Sequence, residues 1–254
     1  MLRDDRSAAE MSTPRVRVLG AGRAGGSFTR ALGEVGWSVD LCSRDTDPAA
    51  LTADTDLVLL CVPDAAVAVI AANIAPDDSV VVAHCAGSLG LDVLDPAPRR
   101  ASLHPLVALP DAERGAVALC GAWFAVAGDP LVERLVDALA GRPVRIDDHE
   151  RVRYHAAAVI ASNHLVALMG QVERVAAQSG MPLEAFLELM RGTIDNVEVM
   201  GAADALTGPV ARGDWDTVRR HLAAIDPQER AAYRALAGSA ALLVDSTPPD
   251  LDDR

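Results

Sequence analysis

The sequence predicts an α/β fold, a doubly wound parallel sheet, followed by an all-α domain. Three observations carry this. From Arg15 to about residue 145, short apolar strands alternate with amphipathic helices, the pattern of a layered α/β structure. After Ile146 no strand-like run follows. Finally, only DPAALTADT separates the second apolar strand from the third. That is too short for an extra strand and helix, so the third strand is expected on the far side of the first, the reversal at which doubly wound sheets bind ligands.

The elements follow in order. RVRVL (15–19) is a strand, and after a glycine-rich turn SFTRALGEVG carries Phe28, Ala31, Leu32 and Val35 at helical spacing until Gly36 stops it. WSVDLC (37–42) and DLVLLCV (56–62) are strands, DAAVAVIAANI (64–74) a helix and SVVVAH (79–84) a strand. ASLH (101–104) and AWFAVAG (122–128) read as further strands, and LVERLVDALAG (131–141) as a helix ending at glycine. Asp147 with Glu150 resembles a capping box opening a long helix to about Ser179, where Gly180 and Pro182 mark a stop and a restart. PLEAFLELMRGT, a segment around NVEVM, DWDTVRRHLAAI and QERAAYRALAGSAALLV supply more helices. The expected organisation is a disordered tail over 1–14, a nucleotide-binding domain over 15–147, an all-helical domain over 148–245 and a disordered tail over 246–254.

Composition narrows the function classes. The 254 residues carry a net charge of −13, which disfavours nucleic acid and anionic membranes as partners. No lysine occurs, so all 23 positive side chains are arginine and no mechanism uses a lysine ammonium. Cys42, Cys61, Cys85 and Cys120 form no C-x-x-C pair and have no histidine at zinc spacing; reduced thiols and no metal site are expected. No signal peptide or membrane span is legible, and a cytoplasmic location is expected.

G-A-G-R-A-G at 20–25 (Gly20, Ala21, Gly22, Arg23, Ala24, Gly25) fits G-x-G-x-x-G directly after a strand and opening a helix. Gly20 permits the tight turn, Gly22 lets the backbone approach a pyrophosphate, and Gly25 allows the helix to pack on the strand. The alternative is a turn that needs glycine on steric grounds alone. Ser43 and Arg44 stand where an NAD site has its ribose-binding acid. Arginine there pairs with a 2′-phosphate, so NADP(H) is favoured over NAD(H), with Asp40 and Asp45 as competing ribose acids. Other strand ends finish such a site: Val62-Pro63-Asp64, His84-Cys85-Ala86-Gly87-Ser88 and Ser102-Leu103-His104-Pro105. Pro63 fixes the backbone where a nicotinamide ribose passes, Gly87 lets the chain come close, and His84 and His104 are candidate hydrogen-bond donors or structural strand-end histidines.

GAGRAGGSF, CVPD, HCAGSLGLDVL, SLHPL, YHAAAVIASNHL and LTGPVARGD, in this order, resemble a group of bacterial Rossmann-type oxidoreductases whose C-terminal helical domain is of unknown function. The resemblance covers residues 15 to about 225. It implies a nicotinamide-binding domain followed by a helical domain like that of 6-phosphogluconate dehydrogenase and pyrroline-5-carboxylate reductase, and a homodimer formed through the helical domain. Some members look like an alternative ketopantoate reductase, reducing 2-dehydropantoate to pantoate with NADPH in pantothenate biosynthesis. Two departures stand out: Arg151 replaces a lysine the group often carries, and Ala86 replaces the serine of its H-x-S-G, with Ser88 close by.

At about 100° per residue, Arg151, His155, Ser162 and Val166 fall within roughly 40° of one another on one helix face, with Asn163 at its edge. Tyr154 and His164 point elsewhere and read as packing or interface residues. His155 is expected as proton donor to a developing alkoxide, Ser162 and Asn163 as carbonyl-orienting groups, and Arg151 or Arg212 as the site for a substrate carboxylate. The function predicted is NADPH-dependent reduction of a small carbonyl acid. Imine reduction and a non-catalytic NADP(H) sensor are the alternatives.

Overall fold

The computed structural model describes residues 13–251; most of the expected N-terminal tail and residues 252–254 lie outside that range. Among the described residues one sheet holds β1 (Arg15–Leu19), β2 (Ser38–Cys42), β3 (Leu57–Leu60), β4 (Val81–His84), β5 (Arg99–Pro105), β6 (Trp123–Gly128) and β7 (Arg142–Arg145). Its order is β2-β1-β3-β4-β5-β6-β7. The third strand therefore lies across β1 from the second, as the short connection predicts. Leu57, Val58, Leu59 and Leu60 of β3 are all fully buried, because helices cover both faces of the sheet. Leu57 and Leu59 pack with α1 (Arg23–Glu34), α3 (Ala112–Leu119) and α4 (Leu131–Ala138); Val58 and Leu60 pack with α2 (Asp64–Ala71).

The sheet departs from the expected all-parallel arrangement at one pair. β6 runs antiparallel to β5, with Leu103 opposite Val126. The intervening α3 is not a crossover: it packs on α1, where a side chain at Gly115 would stand 2.0 Å from Ser27 Oγ, and the chain then returns along β5. Neither α3 nor β7 is anticipated by the sequence reading.

The chain divides into two compact units, the first ending at Ser162 and the second beginning at Asn163. The expected boundary at 147/148 thus moves into the long helix, because α5 (Asp148–Val159) belongs to the first unit through the fully buried Arg151. Asp147 is the N-cap of α5, but its side chain makes no cap bond, and the Glu150 carboxylate pairs with Arg153 at 2.7 Å. The capping box does not form; the neighbouring Asp148 accepts from Leu91 N at 3.0 Å instead. After α5 the helix widens into a π-turn, Ile160–His164.

The second unit comprises α6 (Leu165–Ala177), α7 (Leu183–Ala205), α8 (Trp215–Ala224) and α9 (Pro227–Leu242). Gly180 adopts φ 72° between α6 and α7, and α7 is kinked at Gly201. Asp214 caps α8 by accepting from Thr217 N at 3.1 Å, the helix start expected of Gly-Asp. The unit's core is small, with Val218, Leu222 and Ala237 buried and Trp215, Tyr233 and Leu251 against them. Residues 246–251 of the expected C-terminal tail hold no helix or strand, yet Arg234 Nε donates to Leu251 O at 2.9 Å. No described helix is long and apolar enough to cross a membrane.

Candidate functional site

The parallel strands end along one edge of the first unit, and the candidate residues are distributed along that edge. At the end of β1, Gly20 has φ +112°, a left-handed conformation that a side chain disfavours; a Cβ there would also lie 2.4 Å from Cys61 O. Gly25 is required by packing, since its Cβ would stand 1.8 Å from Gly20 O. Gly22 differs: it caps α1, and a Cβ on it would meet nothing within 4 Å. No side chain caps α1 and no acid occupies its first turn, so its N-terminal amides face an open cradle that fits a pyrophosphate. Ala21, Gly22 and Arg23 are exposed around this cradle, and Ala24 is half-buried.

Arg44 is placed by the pairing of β2 with β1. Leu19 is the register partner of Cys42, and Gly20 N donates to Cys42 O at 3.0 Å, so Ser43 and Arg44 adjoin the glycine turn. Both are exposed, and Ser43 Oγ accepts from Asp45 N at 3.2 Å. Asp40, one of the competing ribose acids, lies inside β2 opposite Arg17, not at the strand end. On the other side of β1, Val62 Cγ1 would lie 3.3 Å from a Cβ on Gly20, and Pro63 is the N-cap of α2.

Beyond β3 stands a cluster that joins β4, β5 and α5. His84, Ser102 and Arg151 are each 0% exposed. Ala86 N donates to His84 Nδ1 at 3.2 Å, so His84 Nε2 carries the proton and donates to Gly90 O at 3.1 Å. Burial and then the Arg151 charge hold His84 below the ordinary histidine range, against the Gly90 bond. His84 is therefore a neutral brace of the loop after β4. Arg151 is a second brace: Nη1 donates to Ser102 Oγ at 2.7 Å and Nη2 to Ala86 O at 3.0 Å, while Nε has no partner among the described residues. Position 86 thus acts through its backbone N–H and carbonyl.

In front of these braces are His104, Tyr154 and His155. His104 Nδ1 and Tyr154 OH are 2.7 Å apart, with the rings edge to face. The His155 ring stands perpendicular to His104, with centroids 5.8 Å apart. A Cβ on Gly87 would lie 2.4 Å from His155 Cδ2 and 3.0 Å from His104 Nε2, so glycine is what lets both rings approach the β4 loop. Burial first, then repulsion of a second positive charge by its basic neighbours His155, Arg151 and His84, push His104 down to about 4. Burial raises Tyr154, opposed by Arg151. Among the described residues, no group of three His, Cys, Asp or Glu is placed to hold a metal ion.

Of the residues singled out in the sequence, Arg151, His155, His84 and Gly87 come together, and Gly20–Gly25 with Val62, Pro63, Ser43 and Arg44 form a second group on the same edge. Arg151 does not present a free fork to a carboxylate, because both terminal nitrogens bind protein and the side chain is sealed. Ser162 lies inside the π-turn, is exposed and donates to Ala158 O at 2.9 Å; the even 100° spacing that aligned it with Arg151 and His155 does not hold through such a turn. Asn163 and Arg212 fall in the second unit, and both are exposed. His104, a strand-end candidate in the sequence, joins the first group, and Tyr154, expected there as a packing or interface residue, is the site residue that the wheel missed. They are 50 positions apart, and the only signal was His104's place at a strand end.

Residues 124–240 match a domain of unknown function, DUF2520, and residues 43–110 match a Rossmann-like domain. The chain therefore joins a Rossmann-like domain to a DUF2520 domain. The first match contains Arg151, Tyr154 and His155, and the second contains Arg44, His84, Gly87 and His104. Among curated proteins none matches the chain significantly. Similar solved structures include BF3122 of Bacteroides fragilis, provisionally named an NADP oxidoreductase, with TM-score 0.76, 20% identity and coverage of 91% of this chain and 98% of that one. Protein TM1727 of Thermotoga maritima gives TM-score 0.70, 25% identity and the same coverages, 91% and 98%. Plasmodium falciparum pyrroline carboxylate reductase with NADP bound gives 0.61 and 12%, covering 92% of this chain and 99% of that chain.

Proposed function

We propose that this protein is a reductase that uses NADPH in preference to NADH and acts on a small carbonyl acid, with 2-dehydropantoate the first substrate to test. The observation that carries this is the shared strand edge. Adjacent strands lie about 4.8 Å apart, so the β1 glycine turn and the β4 loop, two strands along, are roughly 10 Å apart. One dinucleotide spans that distance, with its adenosine half toward Arg44 over β2, its pyrophosphate at α1 and its nicotinamide toward Gly87. When bound, the cofactor supplies the hydride for the carbonyl carbon. The chain supplies what hydride transfer leaves wanting, a hydrogen-bond and proton source at the carbonyl oxygen, from His104, Tyr154 and His155.

The charge of the site supports an anionic substrate. Arg151 is a sealed cation whose terminal nitrogens bind neutral acceptors, and the carboxylate that acts on its charge, Asp148, is itself bonded to Leu91 N. The three nearest histidines carry no compensating negative charge, so the field in front of Gly87 favours a carboxylate. A second copy of the chain is proposed to cover α7, which buries none of its residues and exposes Leu189, Ile194, Val197, Val199 and Met200.

The test is an assay of purified protein with NADPH and with NADH against 2-oxo acids and cyclic imines. Reduction of a 2-oxo acid with NADPH preferred is the expected outcome. Turnover of cyclic imines alone selects the imine-reductase reading, for which the fold of pyrroline carboxylate reductase is the precedent. Tight NADPH binding without turnover of either class selects the sensor. Preference for NADH removes the Arg44 argument.

A further inference from the structure

We propose that Tyr154 and His104 form a proton relay to the substrate oxygen, with Tyr154 the proton's source and His104 its conduit. The inference rests on the reductase reading above.

His104 is the penultimate residue of β5, and Tyr154 holds one end of its ring. Nδ1 meets Tyr154 OH at 2.7 Å, and Nε2 faces Gly87, the position on the β4 loop where the reacting end of the substrate is proposed to sit. The groups around it are Tyr154, His155 and Arg151 from α5, His84 from β4 and Ser102 from β5; Asp148 on α5 is spent on Leu91 N. No carboxylate among these favours a charged imidazole, and burial with three basic neighbours holds His104 to about 4. At neutral pH it therefore carries one proton and is no imidazolium acid. With the Tyr154 hydroxyl donating to Nδ1, that proton is on Nε2, the ring nitrogen beside Gly87.

A neutral imidazole gives up its N–H only if its other nitrogen is protonated in the same step, and Tyr154 is bonded to that nitrogen. As the carbonyl carbon receives the hydride, the C=O π pair moves onto oxygen. The His104 Nε2–H proton passes to that oxygen, and the Tyr154 O–H proton passes to Nδ1. The products are an alcohol, a His104 protonated on Nδ1 and a tyrosinate. Arg151, whose charge favours the ionised phenol, stabilises the tyrosinate until it takes a proton from water and His104 returns to its first tautomer. Overall one hydride and one solvent proton add across the carbonyl. In this scheme His155 lines the approach at Gly87 and is not the source of the proton.

Two measurements test this. In protein labelled with 15N-histidine, long-range 1H–15N spectra are expected to show His104 as the Nε2–H tautomer and still neutral at about pH 5, with Tyr154→Phe mixing the tautomers. A wild-type Nδ1–H tautomer, or a charged His104 at neutral pH, overturns the relay. On the best carbonyl acid, Tyr154→Phe is expected to lower kcat about 100-fold with little change in KM, and His104→Gln to do the same. A bowed dependence of kcat on the D2O fraction, from two protons in flight, is expected in wild type and in His155→Gln but not in Tyr154→Phe. If Tyr154→Phe is folded and keeps wild-type kcat, the relay is wrong while the reductase reading stands. If no carbonyl compound is reduced by wild type, the reductase reading fails and the relay with it, whichever tautomer the spectra show.

Discussion

The molecule contains two histidine–tyrosine pairs of nearly one geometry. His104 and Tyr154 in the first unit, and His221 and Tyr233 in the second, each place Nδ1 2.7 Å from a phenolic oxygen, and the rings cross at 84° and 88°. Their surroundings differ. The first pair joins β5 to α5 beside a sealed guanidinium and two more histidines, at a strand end facing a glycine. The second ties α8 to α9 over Val218 and Leu222. The bond is the same, but only the first lies in the field of a cation and beside a strand-end loop, so it has chemistry available to it while the second is a clasp. The two units differ in the same sense. The central strands β3 and β4 are buried on both faces, whereas the helical unit's core cluster holds only Val218, Leu222 and Ala237 and α7 buries none of its residues.

That contrast can be broken at several points, the most severe first. Ile194→Glu on α7 is expected to convert a dimer into a monomer, read by sedimentation, because a charge on a covered apolar face costs several kcal/mol per site. A wild-type chain that is already monomeric removes the second-copy proposal. Gly25→Ala forces a methyl onto Gly20 O and should cost about 3 kcal/mol or more in urea unfolding, whereas Gly22→Ala should leave stability within about 1 kcal/mol and weaken NADPH binding. Equal effects of the two would mean that the cradle at Gly22 is not open to a ligand.

The acid response has a defined sign. Because His104 is held below its unfolded value of about 6.5, the unfolded chain binds a proton that the folded chain rejects as pH falls from there toward 4. Stability is therefore complete above that window and is lost through it, by about 2 kcal/mol at pH 5 from this residue. Urea unfolding at the two ends of the window should show the loss in wild type and much less of it in His104→Gln. Arg151→Met should stay within about 2 kcal/mol of wild type, because it removes a buried charge along with two hydrogen bonds, and the His104 titration should move up. Smallest is Tyr233→Phe, expected to cost about 1 kcal/mol and to leave turnover unchanged.

What the sequence revealed follows from how each feature is encoded. The glycine turn was legible because its constraint is steric and local: Gly20 and Gly25 are the residue types that the backbone there demands. The order of β2, β1 and β3 was legible because a short connection forbids the alternatives. Residues 142–145 gave no strand signal, since β7 is an exposed edge with Pro143 in it, where no apolar run is needed. α3 hides because Gly115, which lets it sit against Ser27, also weakens its helical signature. The pairing of His104 with Tyr154 was not legible, because it depends on α5 docking across the end of β5. The helix wheel grouped Arg151, His155 and Ser162 on one face, but its even spacing is not kept through the widened turn that holds Ser162.

That turn also bears on how the chain tolerates insertion and deletion. A π-turn holds one residue more than the α-helix it interrupts. Losing any single residue between 160 and 164 would let ordinary i to i−4 bonding run unbroken and would leave every later side chain facing nearly as it does now, because five residues of a π-turn sweep about the same angle as four of an α-helix. Aligned without a gap to a relative whose helix is regular there, this chain would be matched correctly through His155 and wrongly from Leu165 onward.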